Sequence, residues 1–200
     1  MTTDLSKRVP AVVLRMILSG IEEVTGSQYA RVLSQAGLMR YADEPPPEDQ
    51  SPTITEPELS ALYGATYDVI GESLTRLFLT RYGQKLPEAM LAGPAGQEML
   101  ARMAGVPEAE RLGTAIRLIA ETGTKLWTPM RATEDDQAYY LEIENCAICA
   151  RIHNARSPIC ANSEFFYGAL ARALTGFRLT ALEIECAAVG APKCKYRIRK

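Results

Sequence analysis

Apolar residues in the first part of the chain recur at helical spacing. Val13, Met16 and Ile17, then Tyr29, Val32 and Leu33, predict two short helices between residues 9 and 40, broken at Gly20 and again at Gly26 and Ser27. Residues 44–57 carry Pro45, Pro46, Pro47 and Pro52 among acidic and small residues; the segment cannot stay helical and predicts an exposed loop. Thr55 followed by Glu56, Pro57 and Glu58 has the composition of a helix N-terminus. It opens a pattern through Leu62, Tyr67, Ile70, Leu74, Leu77 and Phe78 that predicts the longest helix. Gly93 to Gly96 marks a turn, residues 97–103 a short helix, and Pro107 the start of another that reaches about Leu126.

After Pro129 the period changes from helical to two. Residues 137–146 alternate, with Tyr139, Leu141 and Ile143 on one side and Tyr140, Glu142 and Glu144 on the other, as in a half-buried strand. A helix over about 163–174 follows. Residues 177–189 and 193–199 then read as two strands joined by Gly190, Ala191 and Pro192. The order predicts a single α+β domain over residues 1–200, with N-terminal helices packed on a small antiparallel sheet that ends in a C-terminal β-hairpin. Within it, residues 1–56 hold the first helices and the Pro-rich loop, 57–128 the helical part, and 129–200 the strand, helix and hairpin. At 47% apolar, 200 residues suffice for one sizeable core.

Charge narrows the function. A formal net charge of −2 provides no broad electrostatic footprint for a phosphate backbone, so nucleic acid is not expected as a partner. The apolar run from Ala11 to Leu18 is interrupted by Arg15 and lacks a small-residue cleavage site, which argues against a signal peptide or a bilayer span. A cytoplasmic chain with no membrane association is the expectation. In that compartment the five cysteines are thiols or metal ligands sooner than disulfides. A hairpin turn centred on Gly190 sets Cys186 opposite Cys194 on one side of the sheet, with β-carbons about 4.5 to 5.5 Å apart. Two thiolates on one tetrahedral zinc need sulfurs about 3.8 Å apart, given Zn–S distances of about 2.3 Å, so the pair fits a zinc. Geometry alone also permits a disulfide between them.

The run Cys160, Phe166, Gly168, Glu183, Cys186, Gly190 and Cys194 resembles the 4-vinyl reductase domain family. That family includes bacteriochlorophyll 4-vinyl reductase and the sensor portion of aromatic-responsive transcription activators. The resemblance covers about residues 137–200 and is looser over the preceding helices. It implies the fold of the vesicle-tethering (TRAPP-type) transport subunits and of the NO-signalling ligand-binding domains, with a buried apolar pocket and a homodimer formed through helices. It also implies a structural zinc held by Cys160, Glu183, Cys186 and Cys194; four protein ligands leave no open position for water or substrate. One consequence follows from strand parity. Glu183 and Cys186 differ by three, so both can face the ion only if a bulge lies between them.

The pair Cys146 and Cys149, in Asn-Cys-Ala-Ile-Cys, is similar to the pigment-pathway vinyl reductases. The two residues read as ordinary half-buried thiols, as a second metal or redox site, or as partners of Cys160 in an iron–sulfur cluster. His153, the single histidine, reads as an exposed loop residue; lying in a loop, it is not suited to be a proximal haem ligand. Trp127, Tyr139, Leu141, Ile143, Phe166 and Leu170 are the expected walls of an apolar ligand pocket, with the Tyr139 O–H and Trp127 N–H as orienting groups. The alternative is that these faces pack on one another as ordinary core. The alternating basic ending from Lys193 reads as a solvated edge strand.

Three functions compete. The first is a sensor or carrier domain for a hydrocarbon, aromatic or lipid-like molecule, with zinc as a structural staple and output through a separate protein. The second is a 4-vinyl reductase or accessory protein handling a chlorophyll-type tetrapyrrole; with no nucleotide-binding glycine loop, it would need an external donor or an iron–sulfur centre. The third is a protein-interaction scaffold whose pocket is filled by side chains. No catalytic residue is assigned.

Overall fold

The structure, a computed structural model, describes residues 8–200. Arg8–Pro10 (β1) and Pro52–Thr55 (β2) pair as a small antiparallel ribbon, so the Pro-rich segment is not loop throughout. Pro52 is tolerated there because it is the first residue of its strand. Ala11–Thr25 (α1) runs through Gly20 without the expected break. A β-carbon at Gly20 would press on the Phe78 ring, so the glycine serves packing rather than termination. Tyr29–Ala36 (α2) follows and ends on Gly37 in the left-handed region.

Thr55 caps the central helix, Glu56–Ala92 (α3), through a reciprocal pair. The Glu58 N–H donates to the Thr55 hydroxyl at 3.4 Å, and the Thr55 N–H donates to the Glu58 carboxylate at 2.8 Å. The helix bends at Gly71, where φ is +77°, a conformation that excludes most side chains. The bend resets the helical stripe: Leu74 and Leu77, expected inside, are exposed. It also aims the second half of α3 at the loop before Cys160. There Glu72 accepts from the Arg156 N–H (2.9 Å) and the Ser157 hydroxyl (2.8 Å), while Arg76 donates to the Pro158 carbonyl (2.8 Å). Pro94–Met103 (α4) and Glu108–Leu126 (α5) complete the helical part.

Met130–Glu134 (β3) and Ala138–Ile143 (β4) form a hairpin; β3 was not legible as a strand because its five residues hold only two apolar positions, Met130 and Ala132, too few to show a period. Ala161–Thr175 (α6) leads into Ala181–Glu185 (β5) and Cys194–Arg199 (β6). The four-stranded antiparallel sheet has the order β3-β4-β6-β5. The C-terminal strand is therefore interior, not the solvated edge its lysines suggested. Lys193 and Lys195 both pair with Glu142 of β4, at 2.6 and 3.3 Å, and the Lys195 ammonium lies over the Tyr140 ring. The fold is α+β: α5 and α6 cover the buried face of the sheet and α3 packs across α6. That last approach is close enough that a β-carbon on Gly83 would collide with the Asn162 backbone. Among the described residues no helix is long and apolar enough to cross a membrane.

Candidate functional site

The sheet end and the start of α6 gather five buried cysteines and one buried glutamate. Each arrives by a separate local device. After β4 the chain turns at residues 146–150, where the N–H groups of Cys149 and Ala150 both donate to the Cys146 carbonyl at 3.0 Å; this tight turn carries the Cys146 and Cys149 thiols to one site. Cys160 is the N-terminal cap residue of α6. Cys186 and Cys194 flank the hairpin turn, closed by Ala191 N–H to the Cys186 carbonyl at 3.2 Å, with Gly190 at φ +102°. The Ala187 N–H donates to the Cys194 sulfur at 3.5 Å. The Ala155 N–H donates to the Ala188 carbonyl (2.9 Å), tying the intervening loop to the hairpin.

Glu183 faces the same way because β5 has a bulge. Ala181, Leu182 and Glu183 pair with Ile198, Arg197 and Tyr196, but Glu185 pairs with Lys195, so β5 gains one residue between Glu183 and Glu185. Glu183 and Cys186 both point inward while Leu182 and Ile184 are exposed. This is the irregularity that a shared ligand set requires.

Cys149 stands in the middle of the cluster. Its sulfur lies 3.1 Å from Cys160, 3.6 Å from Cys194 and 3.7 Å from Cys186, and Cys146 lies 3.6 Å from Cys160. The ligand atoms of Cys160, Glu183, Cys186 and Cys194 all fall within 4.8 Å of one another, as do those of Cys146, Cys149, Cys160 and Cys194. Four such donors within 4.8 Å of one another can converge on a single tetrahedral ion. The Glu183 carboxylate accepts the Cys160 N–H at 3.1 Å and the Tyr196 O–H at 3.5 Å. Burial, then the charge of Cys186, pushes its carboxyl up to about 9. Thiol donors to Cys186, Cys149 first, push that thiol down; donation toward Cys146 pushes Cys149, Cys160 and Cys194 up. A buried acid crowded by thiols that share protons is a set of donors for which a divalent cation can replace those protons. The residues therefore fit a zinc.

Beside the cluster lies a cavity of about 140 Å³, walled by α1, α3, α5, α6 and the chain after β4. Its lining is mostly apolar, with Ile17, Leu86, Met130 and Ile148 among the walls, and Cys146 belongs to both the cavity and the cluster. Tyr63 and Tyr82 line it and are almost fully buried, yet neither phenol makes a hydrogen bond among the described residues. Burial pushes both phenols up, so each remains a neutral O–H. Neither hydroxyl is sealed from solvent, so water or a ligand entering the cavity can pair with both.

Of the residues expected to wall a pocket, Trp127, Ile143 and Phe166 line this cavity. Leu141 and Leu170 are buried in core, and Tyr139 is half-buried beneath the Lys200 ammonium, all three outside the lining. The sequence reading missed Tyr63, Tyr82 and Asn162. Tyr63 and Tyr82 lie on α3 on either side of the Gly71 bend, and only the fold shows that they share a chamber. His153 is exposed and away from both sites.

Residues 139–200 match the family model of the 4-vinyl reductase domain, which bears out over those residues the resemblance seen in the cysteine spacing. No curated protein matches the chain in sequence. Among solved structures the chain resembles the phenol-responsive sensory domain of the transcription activator PoxR with phenol. That likeness is at 17% identity and TM-score 0.51, covering 87% of this chain and 90% of that one. It also resembles an H-NOX protein from S. oneidensis in the Fe(II)NO ligation state, at 12% identity and TM-score 0.50, covering 93% and 98%. At such identities the likeness is one of fold.

Proposed function

We propose that this chain, whose residues 139–200 carry the family match, is a small-molecule sensor domain for a monocyclic aromatic bearing one polar group, stapled by a structural zinc beside the ligand chamber. The observation that carries the reading is the apolar cavity with the unpaired Tyr63 and Tyr82 hydroxyls. Its volume of about 140 Å³ is near that of an engineered apolar cavity of about 150 Å³ that binds benzene. The PoxR domain solved with phenol supports the same ligand class. Zinc is held by Cys160, Glu183, Cys186 and Cys194, which join the start of α6 to the end of the sheet. With four protein ligands the ion is closed to substrate and its role is to hold the site together. The chain acts as a homodimer and hands its signal to a separate output protein.

Titration calorimetry of the zinc-loaded protein with phenol and toluene tests the ligand, and metal analysis tests the ion. Phenol should bind and raise the melting temperature, toluene more weakly, and about one zinc should co-purify per chain. Heat-silent titrations and unchanged melting with both compounds would refute the chamber as an aromatic site. A metal content far below one zinc would refute the staple independently.

A further inference from the structure

The cluster holds more donors than one tetrahedral ion can use. Cys160, Cys186 and Cys194 form a sulfur triangle whose atoms lie within 4.8 Å of one another. A fourth corner of a zinc tetrahedron must stand about 3.8 Å from all three sulfurs. Two side chains are near enough to take it: Glu183, whose ligand atom lies within 4.8 Å of the three sulfurs, and Cys149, at 3.1, 3.7 and 3.6 Å from Cys160, Cys186 and Cys194. The second donor comes from a different element. Glu183 rides on the bulge of β5, whereas Cys149 is presented by the turn after β4, so one can withdraw while the hairpin thiols stay in place. Cys146, 3.6 Å from Cys160, lies on the cavity side of the same turn.

We infer that Cys149 is an exchangeable ligand that takes the position of Glu183, so the bound zinc alternates between a shell of three sulfurs and one oxygen and a shell of four sulfurs. This rests on the zinc reading above and goes beyond its ligand set. With Glu183 as the fourth donor Cys149 would stay a thiol, and with Cys149 as the fourth donor the proton would reside on the Glu183 carboxyl. Charge balances and no oxidant is needed. The displaced carboxyl is not stranded, because the Cys160 N–H and the Tyr196 O–H both reach it. The Tyr196 ring packs on Tyr167, a wall of the cavity, so the exchange lies within contact of the ligand chamber.

Zinc-edge X-ray absorption on the full chain counts the sulfurs directly, with zinc content measured alongside. The wild type should average above three sulfurs per zinc, and Cys149→Ser should keep its zinc and fall to three sulfurs and one oxygen. Glu183→Gln should also keep its zinc, with the count rising to four, and the double variant should lose it. A count of three in both wild type and Cys149→Ser would overturn the exchange while leaving the staple intact; so would loss of zinc from a Glu183→Gln protein that circular dichroism shows to be folded. If Glu183→Gln does not fold, the comparison of wild type with Cys149→Ser decides alone. A wild type that binds no zinc overturns the metal reading itself.

Discussion

The cysteine cluster and the cavity share a wall at Cys146 yet are built in opposite ways. All six donors of the cluster come from residues 146–194, on neighbouring turns and strands of one sheet end. The cavity lining runs from Arg8 to Tyr167 and draws on β1, α1, α3, α5 and α6. In the cluster the polar groups satisfy one another, sulfur to sulfur and carboxylate to backbone N–H. In the cavity the Tyr63 and Tyr82 hydroxyls have no partner among the described residues. The difference separates two roles: a closed set of donors is suited to hold a fold together, and an unsatisfied chamber is suited to wait for a ligand. An aromatic ladder connects them, from Trp127 to Phe166 (ring centroids 5.6 Å apart), Phe166 to Tyr167 (5.5 Å) and Tyr167 to Tyr196 (5.1 Å), ending at Glu183.

The largest expected effect would break the cluster alone. Cys160→Ser or Cys194→Ser, each removing a thiol common to both four-donor sets, should sharply weaken zinc binding and lower the melting temperature by about 10 °C or more, since structural zinc contributes folding free energy outright. The same variants compared with wild type after chelation should differ little, which calorimetry on metal-free samples checks. Next comes the cavity wall. Phe166→Ala should cost about 3 kcal/mol in denaturant unfolding, because it removes a ring buried to 4% exposure, while leaving zinc content unchanged. Loss of zinc in that variant would mean that the two regions are one cooperative unit.

A third, smaller effect concerns pH in the metal-free protein. Glu183 keeps its proton up to about 9 when folded, against a usual value of 4.5 when unfolded. A raised folded value gives stability that is complete below 4.5 and lost as pH rises toward 9. Metal-free wild type should therefore melt lower at pH 8 than at pH 5.5, and Glu183→Gln should flatten that slope. The smallest effect tests the orienting hydroxyl. Tyr63→Phe should weaken phenol binding about fivefold, the worth of one neutral hydrogen bond, with toluene binding unchanged by titration calorimetry.

Several of these features were legible in the residues. The capping sequence from Thr55 to Glu58, the turn at Gly190 and the inward positions Leu141 and Ile143 are local patterns, and each stands in the structure as its pattern predicts. The facing of Cys186 and Cys194 follows from the turn, and the bulge at Ile184 follows from asking Glu183 to join them. The β3 strand, the unbroken helix through Gly20 and the outward Leu74 and Leu77 were not legible. The strand is too short to show a period, while the packing of Gly20 on Phe78 and the backbone angle at Gly71 overrode the local period in the helices.

The sequence by itself determined the α+β order of elements, the hairpin that pairs two cysteines, and the supply of thiols in two short-range pairs, because those depend on neighbours a few residues apart. Only the tertiary structure decided that Cys146 and Cys149 join the other three and that Tyr63 and Tyr82 share a chamber. It also decided that the lysine-bearing last strand is interior. The physical reason is common to all three. Which turn lies over which strand, and which side of a bent helix faces inward, is set by the packing of α3 and α6 against the sheet, and that packing leaves no periodic trace along the chain.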